Sequence, residues 1–227
     1  LEFRRVLFRS PLADHHHLLL VNRRGFGGSP DTEGEDFAVD AADVAEVLEG
    51  VGHAHLVGHS YGGVVALLAA ASRPEAVRSL TVFEPPAFGL TIERSDTQAL
   101  VDRIRGIVAS GPTPEEFLPQ FVAAVGGDPA RLPSPLPPPL VRAARVQLNG
   151  RWPWDAVIPL ADLAAAPFPK LVVSGGHHPV FDGVCDVLEA QLPARREVRT
   201  GAGHSIPSLG APVNELLREF WGGVEAD

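Results

Sequence analysis

The sequence has little of what marks disulfide-bonded, membrane-spanning or secreted proteins. Cys185 is the only cysteine in 227 residues, so no internal disulfide can form and no cluster of cysteines can hold zinc. No apolar run approaches the roughly 20 residues that a membrane-spanning helix requires. The N-terminus lacks the charged, apolar and small-residue regions of a signal peptide. These absences favour a globular protein in a reducing compartment, and we expect the cytoplasm.

Positive charge is also scarce in the chain. The 19 Lys and Arg stand against 28 Asp and Glu, which gives a formal charge of -9 at pH 7. This balance disfavours nucleic acid and an anionic membrane as partners, and it leaves a small neutral or hydrophobic molecule as the expected substrate. A chain of this length with 45% hydrophobic residues can bury a substantial core, so we do not expect disorder. The sequence does not indicate an oligomeric state.

Residues 1–10 differ in composition from the rest of the chain. They are rich in arginine, whereas the remainder is rich in Ala, Gly and Pro. Arg5 to Ser10 back-translates to CGT GTG CTC TTC CGA TCT, which resembles the end of a short-read sequencing adapter. We therefore predict that 1–10 is a non-native segment. An ordinary basic amphipathic start is the alternative.

From residue 11 onward, short apolar runs of β type alternate with helical stretches rich in Ala and Leu. Such alternation predicts βαβ units and therefore an α/β fold, with a mostly parallel sheet and helices on both faces. Five strands are predicted, at Leu18 to Asn22, Ala54 to Val57, Ser79 to Phe83, Lys170 to Val173 and Arg196 to Arg199. Helices are predicted over 37–50, 60–72, 98–109, 114–125, 179–192 and 212–221.

The regular alternation stops between residues 86 and 169. Two amphipathic stretches there are followed by a proline-dense run, Leu132 to Leu140, which we predict to lack regular secondary structure. The pattern indicates a helical lid over 86–169, inserted into a core formed by 11–85 and 170–227.

Ser60 lies in a sequence that is typical of an activated nucleophile. Gly58-His59-Ser60-Tyr61-Gly62-Gly63 follows a predicted strand and precedes a predicted helix, as the G-x-S-x-G nucleophile elbow requires. The glycines at 58 and 62 would let neighbouring elements approach a strained turn without a side-chain clash. The new helix would direct the Tyr61 N–H, as an oxyanion donor, at developing negative charge. A chance occurrence in a glycine-rich chain is the alternative.

A serine nucleophile needs a base within hydrogen-bond reach and a third group that orients this base. His204 follows the last predicted strand, at the same carboxyl edge of the sheet as Ser60, and we predict it as the base. His59 is expected to line the substrate pocket or to pack beneath the elbow loop. The run His15 to His17 is expected to be a solvated helix end, with adventitious metal binding as its alternative.

From Pro11 to the C-terminus, the chain resembles the lid-bearing esterases, perhydrolases and C–C hydrolases of the α/β-hydrolase superfamily. The resemblance rests on the elbow, on Gly203-His204 and on the chain order nucleophile, acid, histidine. It implies the α/β-hydrolase fold, with neither cofactor nor metal at the site. Members of this superfamily begin with three further strands, so we expect a sheet whose first strands are missing and an incomplete oxyanion hole.

The resemblance leaves the acid of the site open between two carboxylates. Family members usually carry it in a Gly-x-x-Asp-Pro pattern, and here 175–179 places His178 where the aspartate is expected. Glu84 follows the neighbouring strand, where some members, including certain dehalogenases, carry their acid, and we predict it as the third catalytic residue. Asp182 is the alternative acid. Each has an alternative structural role, Glu84 as a cap before a proline turn and Asp182 as a helix-dipole partner.

Together these residues predict a carboxylesterase-like serine hydrolase that forms an acyl-enzyme with a small ester or other carbonyl substrate. Phe88 and Trp152, with other aromatic residues of the lid, are expected to wall an apolar acyl pocket or simply to pack the lid on the core. C–C bond hydrolysis and perhydrolysis are alternatives at the same residues. A non-catalytic small-molecule binding protein, or an inactive fragment, is the alternative of a different class, because fold does not fix function.

Overall fold

One parallel sheet organises the protein. The structure is a computed structural model that describes residues 11–201 and 203–226. The strands are β1 Ala54–His59, β2 Val77–Phe83, β3 Lys170–Ser174 and β4 Arg195–Val198. They lie in the order β1-β2-β3-β4, and every neighbouring pair is parallel. The predicted α/β class with a parallel sheet is therefore confirmed.

Helices connect the strands, as parallel neighbours require. The bounds of the helices are α1 Phe37–Val51, α2 Tyr61–Ser72, α3 Ser95–Ala109, α4 Pro114–Ala124, α5 Pro138–Leu148, α6 Leu160–Ala165, α7 Pro179–Gln191 and α8 Ala211–Ala226. The connecting helices are α2 to α7, whereas α1 precedes β1 and α8 follows β4. Successive residues of a strand face opposite sides of the sheet. Val172 accordingly packs in one core with α1, α2 and α7, whereas Leu171 and Val173 pack in a second core with α8.

The connection between β2 and β3 contains α3, α4, α5 and α6. Helix α4 begins with a capping box, in which the Thr113 hydroxyl accepts from the Glu116 N–H and the Glu116 carboxylate accepts from the Thr113 N–H. The prediction that Leu132 to Leu140 lacks regular structure is wrong at its end, because α5 begins at Pro138. Prolines in a first helical turn cost no intrahelical hydrogen bond, since those N–H groups have no acceptor within the helix.

The predicted strand at Leu18 to Asn22 is not a strand in the structure. Its side chains do alternate: Leu18 and Leu20 pack against the core that contains α8, whereas Leu19 and Val21 are exposed. A strand also needs a neighbour for its hydrogen-bonded ladder, and within 11–201 and 203–226 this segment pairs with none. Alternation alone therefore misassigned the segment.

Two other predictions concern membrane contact and the domain boundaries. None of the helices that the structure describes is long and apolar enough to cross a bilayer. The segment 1–10, predicted to be non-native, lies outside the described residues. The division into a lid over 86–169 and a core over 11–85 and 170–227 stays a prediction.

Candidate active site

Ser60 occupies a sharp turn between the end of β1 and the first residue of α2. Its backbone has φ 54° and ψ -130°, in a region that residues with a side chain rarely adopt. The Ser60 N–H donates to the Phe83 carbonyl at 2.8 Å, and the Ser60 carbonyl accepts from the Gly63 N–H at 2.7 Å. These bonds hold a conformation that costs on the order of 1 to 3 kcal/mol and fix the serine at the carboxyl edge of the sheet.

Close packing around the turn depends on Gly58 and Gly63. A Cβ atom on Gly58 would overlap the Gly62 carbonyl and lie 2.7 Å from the Gly63 Cα. A Cβ on Gly63 would lie 3.0 Å from the Pro85 Cβ, whereas one on Gly62 would meet nothing within 4 Å. The sequence predicts that glycine is needed at 58 and 62 to avoid a side-chain clash. This prediction is wrong for residue 62, because the space beside its Cα, in the first turn of α2, is open.

A continuous chain of hydrogen bonds joins Ser60, His204 and Glu84. The Ser60 Oγ lies 2.8 Å from the His204 Nε2, and the His204 Nδ1 lies 2.7 Å from the Glu84 Oε2. A carboxylate can only accept, so the Nδ1 atom carries the proton in this pair and the neutral ring leaves Nε2 as an acceptor for the serine hydroxyl. This is the protonation pattern that a general base needs.

Glu84 directly follows β2 and is fully buried. Its backbone lies in the left-handed region, at φ 43°. In addition to the His204 ring, its carboxylate accepts from the Gly175 N–H at 2.6 Å through Oε1. Burying a carboxylate is costly unless donors replace its water, and these two donors do so. The protein therefore holds this carboxylate rigidly against the histidine.

Asp182 and His178 have other partners. Asp182, in the first turn of α7, contacts the Ser174 hydroxyl and lies 3.6 Å from the Arg196 guanidinium. His178 caps the N-terminus of α7, where its Nδ1 accepts from the Val180 N–H at 3.3 Å. Among the contacts of the described residues, none joins Asp182 to the histidine of the site. The structure thus brings Glu84 to the imidazole and directs Asp182 elsewhere.

His59 is the last residue of β1, directly before Ser60. Its Nε2–H donates to the backbone carbonyl of His204 at 2.7 Å. Burial, with a further contribution from the His204 ring, lowers the pKa of His59 to about 3, so it is neutral at physiological pH. His59 is expected to line the pocket, but the residues that line the cavity beside Ser60 do not include it. Its ring contacts the segment that carries His204 instead.

A small aromatic cavity opens beside Ser60 and His204. Its volume is about 60 Å³. Its lining is mostly aromatic and apolar and includes Glu35 and Gln147; the aromatic residues are Tyr61, Phe88, Phe121, Trp152, Trp154 and Phe181. Trp152 and Trp154 stack with ring centroids 4.7 Å apart, and Phe181 lies 4.6 Å from the His204 ring. The predicted pocket residues Phe88 and Trp152 thus lie in the lining. Phe181 was missed, because nothing in its helical pattern separates a site-facing position from a core position.

A buried network of charged residues contacts Tyr61 beside the elbow, and its member Glu35 also lines the cavity. The Arg23 guanidinium lies 2.9 Å from Glu35 and 3.0 Å from Asp40, and the Tyr61 hydroxyl donates to Asp40 at 2.9 Å. Burial alone would lower the pKa of Arg23, but the two carboxylates outweigh it and raise that pKa. Burial raises the pKa of Glu35. Sequence reasoning missed this network, which anchors Tyr61, the first residue of α2.

The model of the alpha/beta hydrolase family matches residues 2–219 of the chain. A putative carbamate hydrolase, RutD, from Azorhizobium caulinodans is 28% identical in a match that covers 94% of this chain and 84% of that protein. A pimeloyl-[acyl-carrier protein] methyl ester esterase from Aeromonas salmonicida is 44% identical in a match that covers 34% of this chain. In that match the chain spans 31% of the length of the esterase.

Solved structures give the same picture of the fold. A thermophilic esterase from Thermogutta terrifontis is similar with a TM-score of 0.65 and 22% identity, over 98% of this chain and 84% of that one. An alpha/beta hydrolase from Sphaerobacter thermophilus is similar with a TM-score of 0.58 and 24% identity, over 88% of this chain and 80% of that one. Since the family model covers nearly the whole chain and these structures share its architecture, the chain belongs to the alpha/beta hydrolase family.

Proposed function

We propose that this hydrolase is a serine esterase, in which Ser60 is the nucleophile, His204 the general base and Glu84 the acid that orients the base. The observation that carries the proposal is the unbroken chain from the Ser60 Oγ through both His204 nitrogens to the buried carboxylate, with distances of 2.8 and 2.7 Å. A nucleophile, a base and an orienting group in hydrogen-bond contact are the geometric signature of nucleophilic catalysis.

The reaction follows from these positions. The Ser60 Oγ attacks the carbonyl carbon while its proton passes to the His204 Nε2, and Glu84 stabilises the imidazolium that forms. The Tyr61 N–H, at the positive end of α2, faces the negative charge that develops on the carbonyl oxygen. The imidazolium then gives its proton to the leaving alcohol, which departs and leaves an acyl-Ser60 ester. A water molecule, activated by the same histidine, hydrolyses this ester and restores the enzyme.

The cavity supports a small, apolar acyl group as the substrate class. Its volume of about 60 Å³ leaves room for a short chain only, and stacked indole rings provide a rigid, flat wall. Two of the related proteins are named as a methyl ester esterase and a putative carbamate hydrolase. In esters and carbamates alike, the carbonyl carbon is bonded to a heteroatom. We therefore propose a short-chain ester as the substrate.

We also propose the cytoplasm as the location. The one cysteine, Cys185, is free and buried, as is usual for proteins of a reducing compartment.

A substrate series tests this proposal. The full chain and its Ser60→Ala variant are assayed with p-nitrophenyl acetate, butyrate and octanoate, and Ser110→Ala, which changes an exposed serine at the end of α3, is the matched control. We expect hydrolysis that falls as the acyl chain lengthens, that Ser60→Ala abolishes and that Ser110→Ala retains. Equal hydrolysis by Ser60→Ala would refute the proposed nucleophile. C–C hydrolysis or perhydrolysis would instead give activity with a diketone or with peroxide and no esterase activity.

A further inference from the structure

We propose that His177, Glu84 and His204 form a binding site for a transition-metal ion such as Zn²⁺, and that occupation of this site switches hydrolysis off. One ligand atom from each residue, two imidazole nitrogens and a carboxylate oxygen, lies within 4.8 Å of the other two. The inhibitory part of this inference rests on the function proposed above, whereas the binding part depends only on the three side chains.

His177 is the residue that the proposed hydrolytic mechanism leaves unexplained. Its Nδ1 lies 3.2 Å from the Glu84 Oε1, but neither of its buried ring nitrogens has a hydrogen-bond partner in the described part of the chain. Its side chain is 15% exposed. An unpaired buried imidazole costs free energy, and a metal bond at Nδ1 would give this nitrogen a partner.

Gly175 lies beside the group, and a Cβ atom there would lie 3.0 Å from the His177 Nδ1 and 3.2 Å from the Glu84 Oε1. A Cβ atom there would also overlap the Gly203 carbonyl, so backbone packing by itself requires glycine at 175. The side chains of His177 and Glu84 occupy the space beside this glycine.

The donor set is one that zinc prefers. Two histidines and one glutamate, with a fourth position for water, form a known tetrahedral zinc environment with metal–ligand bonds of about 2.0 to 2.2 Å. Ligand atoms in such a tetrahedron are about 3.3 Å apart. The Glu84 Oε2 is 2.7 Å from the His204 Nδ1, and the Oε1 is 3.2 Å from the His177 Nδ1. One ligand atom from each residue lies within 4.8 Å of the other two, so the ion would draw the three side chains together by up to about 1.5 Å.

Metal binding and catalysis are incompatible because of the proton on His204. In the hydrogen-bonded chain, Nδ1 carries the proton and Nε2 accepts from the Ser60 hydroxyl. A metal on Nδ1 displaces that proton, and the neutral ring then carries it on Nε2. An N–H group would face Ser60 in place of a lone pair, so the histidine could no longer take the serine proton. The metal would therefore lower kcat without competing for the substrate cavity.

The experiment measures metal binding and inhibition separately. His177→Asn removes the proposed ligand, and His178→Asn is the matched control, because asparagine preserves the N-cap of α7. The parent protein for this experiment carries His15→Ala and His17→Ala, and every variant is made in this parent. The two changes remove exposed histidines of the N-terminal run that could bind zinc by themselves. Zinc binding is followed by calorimetry with ZnCl₂, in parallel with the visible spectrum of added Co²⁺.

We expect the parent and His178→Asn proteins to bind one Zn²⁺ each and His177→Asn to bind it at least about 10-fold more weakly. The rate of p-nitrophenyl acetate hydrolysis, relative to the metal-free rate of the same protein, should fall on addition of zinc and recover with EDTA. The zinc concentration for half inhibition should rise at least about 10-fold in His177→Asn only.

Three results would overturn the inference: no zinc binding by the parent, equal binding by His177→Asn, or stoichiometric binding that leaves the hydrolysis rate unchanged. Ser60→Ala separates this inference from the proposed function, because it keeps all three ligands and should bind zinc as the parent does. Zinc binding that depends on His177 in a protein without esterase activity would support the metal site and refute the serine esterase.

Discussion

Replacing Glu84 with glutamine removes one charge from the buried carboxylate while keeping the size of the side chain. The carboxylate accepts from the Gly175 N–H at 2.6 Å and from the His204 Nδ1–H at 2.7 Å. A glutamine has a single acceptor oxygen, and if this oxygen keeps the backbone N–H, the amide NH₂ must face His204. The ring then accepts at Nδ1 and carries its proton on Nε2, which is the wrong tautomer for a base.

The size of the expected effect follows from this change of tautomer. In a serine protease triad, the equivalent change of acid to amide lowers kcat about 10⁴-fold. We expect Glu84→Gln to lower kcat by about 10³- to 10⁴-fold, which corresponds to about 4 to 5.5 kcal/mol of activation free energy. The cavity is lined by other side chains, so KM should change little.

The assay compares kcat and KM for p-nitrophenyl acetate in the wild type, in Glu84→Gln and in Asp182→Asn. Asp182 is the matched control, because it is the other acid near this edge of the sheet and its partners are Ser174 and Arg196. Circular dichroism and urea unfolding check that each variant is folded. A loss in kcat of less than about 10-fold in folded Glu84→Gln, or a larger loss in Asp182→Asn, would refute the assignment of the acid.

Three further predictions concern the elbow, the cavity and His59. Gly58→Ala should lower the free energy of unfolding by about 3 kcal/mol in urea, because its Cβ would meet backbone atoms, whereas Gly62→Ala should change it by less than about 1 kcal/mol; equal effects would contradict the packing described. Trp152→Ala should raise kcat/KM for p-nitrophenyl octanoate relative to the acetate, and an unchanged ratio would argue against Trp152 as an acyl wall. Because the pKa of His59 is lowered to about 3 in the folded protein from an ordinary 6.5, the unfolded chain binds the extra proton, and stability should fall as the pH falls from 6.5 towards 3. His59→Gln keeps an N–H donor and should weaken this pH dependence in thermal unfolding; an unchanged dependence would contradict it.

The features that sequence reasoning predicted well are those set by short motifs and strand order. The elbow at Ser60 is a local turn, and the strand before it and the helix after it both appear in the structure. Parallel strands share one carboxyl edge, so residues that follow β1 and β2 can be predicted to lie close together. This reasoning, together with the resemblance to family members that carry their acid at this position, brought Glu84 into consideration with Ser60 and His204.

The features that were missed depend on contacts between distant parts of the chain. Leu18 to Asn22 has the alternation of a strand, but a ladder partner cannot be inferred from alternation. The pairing of Arg23 with Glu35 and Asp40 arises only when the loop that begins at Arg23 packs against the start of α1. His177 was considered only as part of a segment that lacks the usual aspartate, because its approach to Glu84 depends on how β2 and β3 align.

The central claim, that Ser60 is an activated nucleophile, is tested most directly by intact mass after treatment with a fluorophosphonate. The probe reacts with a serine only when a base removes its proton. The account predicts a single adduct on the full chain, located by peptide mapping to the segment that contains Ser60, and no adduct on Ser60→Ala. A folded protein that stays unlabelled, or an adduct that persists in Ser60→Ala, would contradict the account.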